Sequence, residues 1–370
     1  MEPSQLAPAR SILEAAVARR AFPGAVSAVG YKGKTSFVST GCLTYEDGSA
    51  PVTPDTIYDL ASLTKVVATT TAAMILSERG VLALDRPIAL YLPDFVDGYD
   101  TADPLQAARG EITVRHLLAH TSGLPAYERF FLRAREKSHA LAEALALPLE
   151  ASPGEKTIYS DVGFILLGAI LERVSQQNLD KFCDLEIFSP LGMSDTRFNP
   201  PETFWDRIAP TENDSEFRKR LIRGEVHDEN AWVMGGVAGH AGLFGTAADL
   251  ARFCSTMLAG GLPAGRKAGE GRILEPKTIQ EFTRPCPVPE GPARGLGWDK
   301  PSQPSSCGPH FSASSYGHLG FTGTSMWIDP EKSLFVVLLT NRVHPSRANE
   351  LIREVRPAVH DAVVTGLGLS

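Results

Sequence analysis

Hydrophobic positions along the chain fall into β-rich runs near the start, helical runs through the middle, and β-rich runs again near the end. A helix is predicted over residues 7–21, where Ile12, Leu13, Ala16 and Val17 recur at helical spacing. Residues 25–31 and 35–40 are short β-rich runs around Lys32-Gly33-Lys34, a hairpin signal. An extended piece over 56–60 leads into an apolar run, 66–76, which contains neither Gly nor Pro and stops at Glu78-Arg79-Gly80. Thr69, Thr70 and Thr71 are poor helix formers, so burial on every side must sustain the helix expected there. A proline-punctuated connection over 87–95 follows. Helices are then predicted over 112–120 with Thr113 as N-cap, over 127–147 and over 163–174, with a turn at 188–193 after the next one. Beyond about residue 235 the character changes. Residues 235–242 are glycine-dense, Thr246 can cap a helix over 247–258, and 259–315 read as loops around one short helix near 276–282. The runs 325–328 and 333–340 flank the tight turn Asp329-Pro330-Glu331-Lys332, an antiparallel hairpin, and a closing helix is expected over 347–364.

Strands at both ends with helices between predict an α+β (α/β) chain. A discontinuous sheet lobe (1–61 and 235–370) would carry an inserted, mainly helical lobe (62–234), with a cleft where the two meet.

Composition narrows the class of partner. The 370 residues are 43% hydrophobic and 21% charged, enough for a large core. A net charge of −7 argues against nucleic acid; the basic cluster Arg218-Lys219-Arg220 with Arg223 is flanked by Glu216 and Glu225 and reads as a solvated face. Five scattered cysteines without C-x-x-C spacing read as reduced thiols, neither a zinc site nor a disulfide framework. No signal-peptide pattern and no run approaching the roughly 18 apolar residues of a membrane span is present. The expected location is the cytoplasm, or the periplasm if a leader has been removed.

Three stretches could carry chemistry. Ser62 and Lys65 lie three residues apart, on one face of the first helical turn, where N–H groups and the positive end of the helix dipole point. The plain alternative is an N-cap serine and an exposed first-turn cation. Tyr159-Ser160-Asp161 precedes the 163–174 helix; a phenol and a carboxylate at a helix mouth can orient or deprotonate a nucleophile, or else pack a ring and cap the helix. Gly317-His318-Leu319-Gly320-Phe321-Thr322-Gly323 enters the terminal hairpin. Glycine-flanked strand edges let a substrate approach backbone N–H groups, or mark a bulge.

Together Ser62-x-x-Lys65, Tyr159-x-Asp161 and His318-Leu319-Gly320, in this order, resemble the serine β-lactamase and penicillin-binding-protein superfamily. The branch is that of class C β-lactamases, DD-peptidases and related carboxylesterases (family VIII esterase-like). His120-Thr121-Ser122-Gly123-Leu124, Pro190-Leu191-Gly192-Met193, Gly239-His240-Ala241-Gly242-Leu243-Phe244 and 323–330 match the same branch, and the likeness runs from about residue 15 to about 345. The resemblance implies a β-lactamase/transpeptidase-like fold, an antiparallel sheet flanked by helices plus an inserted all-helical lobe. It implies that Ser62 Oγ attacks a carbonyl and forms an acyl-enzyme that water hydrolyses. Lys65 serves as base if its pKa is lowered, coupled with Tyr159, which passes the proton to the leaving group. The N–H groups of Ser62 and Phe321 would form the oxyanion hole. Asp161, His318, Leu319, Gly320, His240 and Thr322 would line the substrate side, and no cofactor or metal is implied.

The chain departs from the family pattern in two places. Asp161 stands where Asn usually donates to an acylamide carbonyl, and an ionised carboxylate can only accept. Leu319 stands where Thr usually helps hold a substrate carboxylate, though Thr322 or Thr324 could compensate. Reading Ser160-Asp161-Val162 as a Ser-Asp-Asn motif puts Val at the amide position and is rejected. Both departures favour small esters over a β-lactam or a D-Ala-D-Ala terminus, which remain the alternatives. Other classes fit less well. His116 and His120 lie at i and i+4, but Leu117 replaces the glutamate of a zinc protease, and His227-Asp228-Glu229 has no third ligand placed by spacing. No Gly-x-Ser-x-Gly exists for an α/β-hydrolase. A non-catalytic binder of cell-wall fragments is opposed by the intact Ser62, Lys65 and Tyr159.

Overall fold

The computed structural model describes residues 1–97, 102–267, 271–287, 294–302 and 304–370. Parts of the 259–315 loop reading fall outside the described residues. The first hairpin forms as expected, between β1 (Gly24–Tyr31) and β2 (Lys34–Gly41). After it come β3 (Ile57–Asp59), β4 (Arg197–Phe198), β5 (Asn213–Asp214), β6 (Arg220–Leu221) and β7 (Leu243–Thr246). The chain closes its sheet with β8 (Tyr316–Leu319), β9 (Ser325–Asp329) and β10 (Leu334–Thr340). A five-stranded antiparallel sheet has the order β2-β1-β10-β9-β8, with Val29 opposite Val336 and Val337 opposite Met326.

Every residue of β10 is buried because both faces of the sheet are covered. Side chains alternate across a strand, and here the alternation sorts two cores. Phe335, Val337 and Leu339 join Val26, Ala28, Met326 and Ile328 in the larger core, beneath the Ala247–Leu258 helix. Leu334, Val336 and Leu338 join Ala25, Val29 and Trp327 under the helices Pro3–Ala18 and Ile352–Gly366. Full burial of each such aliphatic side chain contributes about 1.5–3 kcal/mol. A smaller sheet, β3-β7-β4, joins the segment before Ser62 to the strand after the glycine-dense loop, with Asp59 opposite Phe244.

Four expectations change. The run after Ser62 is not one α-helix: Lys65–Thr70 is π-helical and only Thr71–Glu78 is α-helical. Its β-branched residues crowd an α-helical turn, and the Thr69 hydroxyl bonds the Gly239 carbonyl at 2.6 Å across the packing contact. The predicted 127–147 helix shrinks to Lys137–Leu145 plus a single turn, Phe130–Leu132. Asn230 explains the loss: its side chain accepts from the Phe131 N–H (3.1 Å) and donates to the Glu128 carbonyl (2.8 Å), replacing local backbone bonds. The closing helix starts at Ile352, since Arg342 holds the Arg347 and Asn349 carbonyls out of helical pairing. Arg218 is not on a solvated face; it is buried against Asp214 at 3.1 Å. Thr113 and Thr246 cap their helices as expected, accepting from His116 N and Asp249 N, and all five cysteines are free thiols. Among the described residues no helix is long and apolar enough to cross a membrane.

Candidate active site

The chain leaves β3 through Ala61, a non-glycine residue held in the left-handed region at φ 47°. Such a backbone costs of order 1–3 kcal/mol and persists only where its surroundings hold it. Asp59 does the holding. One carboxylate oxygen accepts from the Ala61 N–H at 2.8 Å, and the other accepts from the His227 N–H at 2.6 Å. Ser62 follows at once. Its hydroxyl accepts from Lys65 Nζ at 3.1 Å and caps no backbone N–H, which removes the N-cap alternative.

Lys65 is fully buried, so the exposed-cation alternative also falls. Its Nζ lies 3.1 Å from Ser62 Oγ, 3.0 Å from the His240 carbonyl and 2.6 Å from Asp161 Oδ1. Burial alone would lower its pKa, but the charges of Asp161 and Tyr159 and their hydrogen bonds outweigh it, and the pKa is raised. That direction is opposite to the lowered pKa under which Lys65 alone would serve as base. The Tyr159 ring lies 4.9 Å from Nζ, and its hydroxyl engages Lys65 and Ser62. Tyr159 is 36% exposed, and the desolvation of its hydroxyl end raises the phenol's pKa despite the lysine beside it.

Tyr159 and Asp161 owe their placement to His120, whose role the sequence did not disclose. His120 is buried, with Nδ1 accepting the Ser160 N–H at 2.9 Å and its ring 4.6 Å from that of Tyr159. Ser160, rather than Asp161, caps the Asp161–Ser175 helix through the Gly163 N–H, which leaves the Asp161 side chain to Lys65. His116 Nδ1 accepts the Thr113 N–H at 3.2 Å, so this ring helps cap its own helix.

The third wall is the β8–β9 turn. Gly320 sits so close to Leu60 and Thr324 that an added Cβ would come 1.9 Å from Thr324 Oγ1 and 2.6 Å from the Leu60 carbonyl. Thr322 and Thr324 donate their hydroxyls to the Asp59 and Leu60 carbonyls at 2.7 and 3.1 Å. Both are buried, so neither can reach a substrate, and the expected compensation for Leu319 by Thr322 is corrected. The turn is instead fastened to the strand that delivers Ser62. Among the described residues, the Ser62 and Phe321 N–H groups have no protein acceptor. Phe321 is half exposed, its ring 4.4 Å from the Arg342 guanidinium and 5.7 Å from the His227 ring.

His318 lies in the wall as a neutral ring. Burial lowers its pKa to about 4, and its Nδ1 bonds the Leu319 carbonyl at 2.8 Å. His240 contributes its carbonyl to Lys65 and turns Nε2 onto Asp228 at 2.9 Å, so its nearest partners are protein groups. These walls enclose a cavity of about 720 Å³ that Ser62, Tyr159, Asp161, His318 and Phe321 share. Arg294 also reaches it, and sequence reasoning missed it because a single arginine in a Gly- and Pro-rich loop carries no pattern. It is 7% exposed, pairs with Asp299, lies 5.4 Å from the Tyr159 ring and, among the described residues, keeps Nε and one Nη without a hydrogen-bond partner.

The family profile described as Beta-lactamase matches residues 9–360. The chain belongs to that family. A protein of Escherichia coli strain K12 named "Putative D-alanyl-D-alanine carboxypeptidase" is 37% identical over 317 residues, which cover 79% of this chain and 70% of that protein. The fold is similar to that of a penicillin-binding protein homologue from Caulobacter crescentus, with TM-score 0.76, 22% identity and 98% of each chain covered. It is also similar to that of EstCE1, a hydrolase with promiscuous acyltransferase activity, with TM-score 0.75, 23% identity, and 96% of this chain and 98% of that one covered. The β-lactamase/transpeptidase-like fold and the serine-hydrolase class expected from the motifs both stand.

Proposed function

We propose that the protein hydrolyses small carboxylic esters through an acyl-enzyme on Ser62, in a cavity at the seam between the discontinuous sheet lobe and the helical insertion. Ser62 Oγ bonds to the ester carbonyl carbon while its proton passes to the Lys65–Tyr159 side of the site. The developing oxyanion takes up the free N–H groups of Ser62 and Phe321. The alcohol leaves with a proton delivered by Tyr159, and water then splits the acyl-enzyme.

One observation carries the preference for esters: the side chains that could recognise an amide substrate are already engaged. Asp161 is bound to Lys65, and the Thr322 and Thr324 hydroxyls are bound to backbone carbonyls. An ester has the better leaving group and needs fewer such donors. A second reading, cleavage of a peptide ending in a D-alanine carboxylate, draws support from the Arg294 guanidinium in the cavity wall and from the name of the Escherichia coli relative. β-Lactam hydrolysis follows from the same chemistry.

Intact mass after treatment with a fluorophosphonate tests the nucleophile, with one adduct expected on Ser62 and none in Ser62→Ala. Parallel assays of p-nitrophenyl butyrate, nitrocefin and a D-Ala-D-Ala peptide test the substrate. A large preference for the peptide would overturn the ester reading and leave the nucleophile standing.

A further inference from the structure

We propose that Asp161 acts through Lys65 as the proton acceptor for Ser62, so that the base of this site is an ion pair and not a neutral amine. This rests on the Ser62 acyl-enzyme reading. Lys65 Nζ has three oxygen neighbours within 3.1 Å, of which the His240 carbonyl and the Asp161 carboxylate can only accept. A carboxylate 2.6 Å from a fully buried amine favours the charged form of that amine, an ammonium. An ammonium has no lone pair for the Ser62 proton. The carboxylate 2.6 Å away supplies the missing acceptor.

The step balances without any other reagent. As Ser62 Oγ bonds to the carbonyl carbon, the carbonyl π pair moves to oxygen. One Lys65 proton passes to Asp161 Oδ1, and the Ser62 proton replaces it on Nζ. The site then holds an ammonium beside a carboxylic acid. When the tetrahedral centre collapses, the carbon–oxygen bond to the leaving group breaks. A proton travels from Lys65 through the Tyr159 hydroxyl to the departing oxygen, and Asp161 returns its proton to Lys65. Asp161 is thus a positioning residue that acts through another side chain.

The groups that face this pair are few. Lys65 meets Ser62 on its own turn, Tyr159 and Asp161 from the start of the 161–175 helix, and the His240 carbonyl ahead of β7. His120, His318 and Asp228 lie within its field, and the Tyr127 phenol lies within that of Asp161. Arg294 stands over the far side of the Tyr159 ring.

The test is the pH dependence of the rate at which a fluorophosphonate modifies Ser62, followed by intact mass, with thermal melts as a control for folding. The wild-type rate should hold further toward acid than that of a site whose base is a neutral amine. In Asp161→Asn the base becomes neutral Lys65, so the acid limb should move up by at least about one pH unit, a tenfold loss below it. Asp161→Glu keeps a carboxylate and should keep the limb acidic even if the asparagine variant folds poorly. Superimposable profiles for the wild type and Asp161→Asn, or an Asp161→Glu limb displaced to alkaline pH, would overturn the proposal. Absence of any Ser62 adduct in the wild type would overturn the acyl-enzyme reading instead.

Discussion

The Thr322 hydroxyl donates to the Asp59 carbonyl at 2.7 Å, joining the turn that carries the Phe321 N–H to the strand that delivers Ser62. Two backbone donors from distant parts of the chain stabilise one oxyanion only if their spacing is fixed. Thr324 on the Leu60 carbonyl and Asp59 on the Ala61 N–H complete the fastening. Thr322→Val keeps the shape and leaves a buried carbonyl unpaired, at a cost of about 1–3 kcal/mol. We expect kcat for p-nitrophenyl butyrate to fall about 10- to 100-fold, with Thr322→Ser restoring most of it. Unchanged steady-state kinetics would show that the tie does not govern the donors.

Arg294 separates the two substrate readings. Arg294 lines the cavity 5.4 Å from the Tyr159 ring, where a substrate carboxylate could meet its guanidinium. A charge-assisted hydrogen bond is worth about 1.5–3 kcal/mol. Arg294→Gln should therefore raise KM about 10- to 100-fold for a D-Ala-D-Ala peptide and leave KM for a neutral ester within about twofold. Equal losses on both substrates would assign Arg294 to holding Tyr159 and Asp299 in place.

Gly320 admits no side chain. A Cβ there would meet Thr324 Oγ1 at 1.9 Å and the Leu60 carbonyl at 2.6 Å, and neither can swing aside without breaking the fastening just described. Overpacking of this kind costs about 1–3 kcal/mol. Gly320→Ala should lower Tm by several degrees and reduce ester hydrolysis more than tenfold, as a melt and an initial-rate assay would show.

Much of this was legible in the sequence, and the exceptions share a cause. Ser62, Lys65 and Tyr159 could be named because their motifs have fixed local spacing, and the two hairpins because strand and turn chemistry are local. The partner of Asp161 could not be named, because it lies 96 residues away across the cavity and the family pattern pointed to substrate instead. The same holds for Thr322, whose hydroxyl spans 263 positions to reach Asp59. Composition over 127–147 predicted a helix, and a single distant asparagine took over its backbone bonds. The π-helical turn after Ser62 had a visible sign in its β-branched run, but periodicity alone does not distinguish it from an α-helix.

Glu212 supplies a prediction about stability rather than rate. It accepts from His227 Nε2 at 2.9 Å and from Arg347 at 2.6 Å, and Arg347 also reaches Glu229, so three elements around the cavity mouth are joined through one carboxylate. Burial pushes this carboxyl up, but the bonds from His227 and Arg347 outweigh it and hold its pKa at about 2, against an ordinary 4.5. A depressed pKa means that the folded state holds the proton less tightly than the unfolded chain. The stabilisation is therefore complete above the unfolded value and is lost as pH falls toward about 2. At about 1.4 kcal/mol per pH unit, the difference amounts to roughly 3 kcal/mol. Urea melts of the wild type and Glu212→Gln should differ by about that amount near neutral pH and converge on acidification through this window. A gap that stayed constant down to the acid end would mean that the carboxylate's charge is not what holds the mouth together.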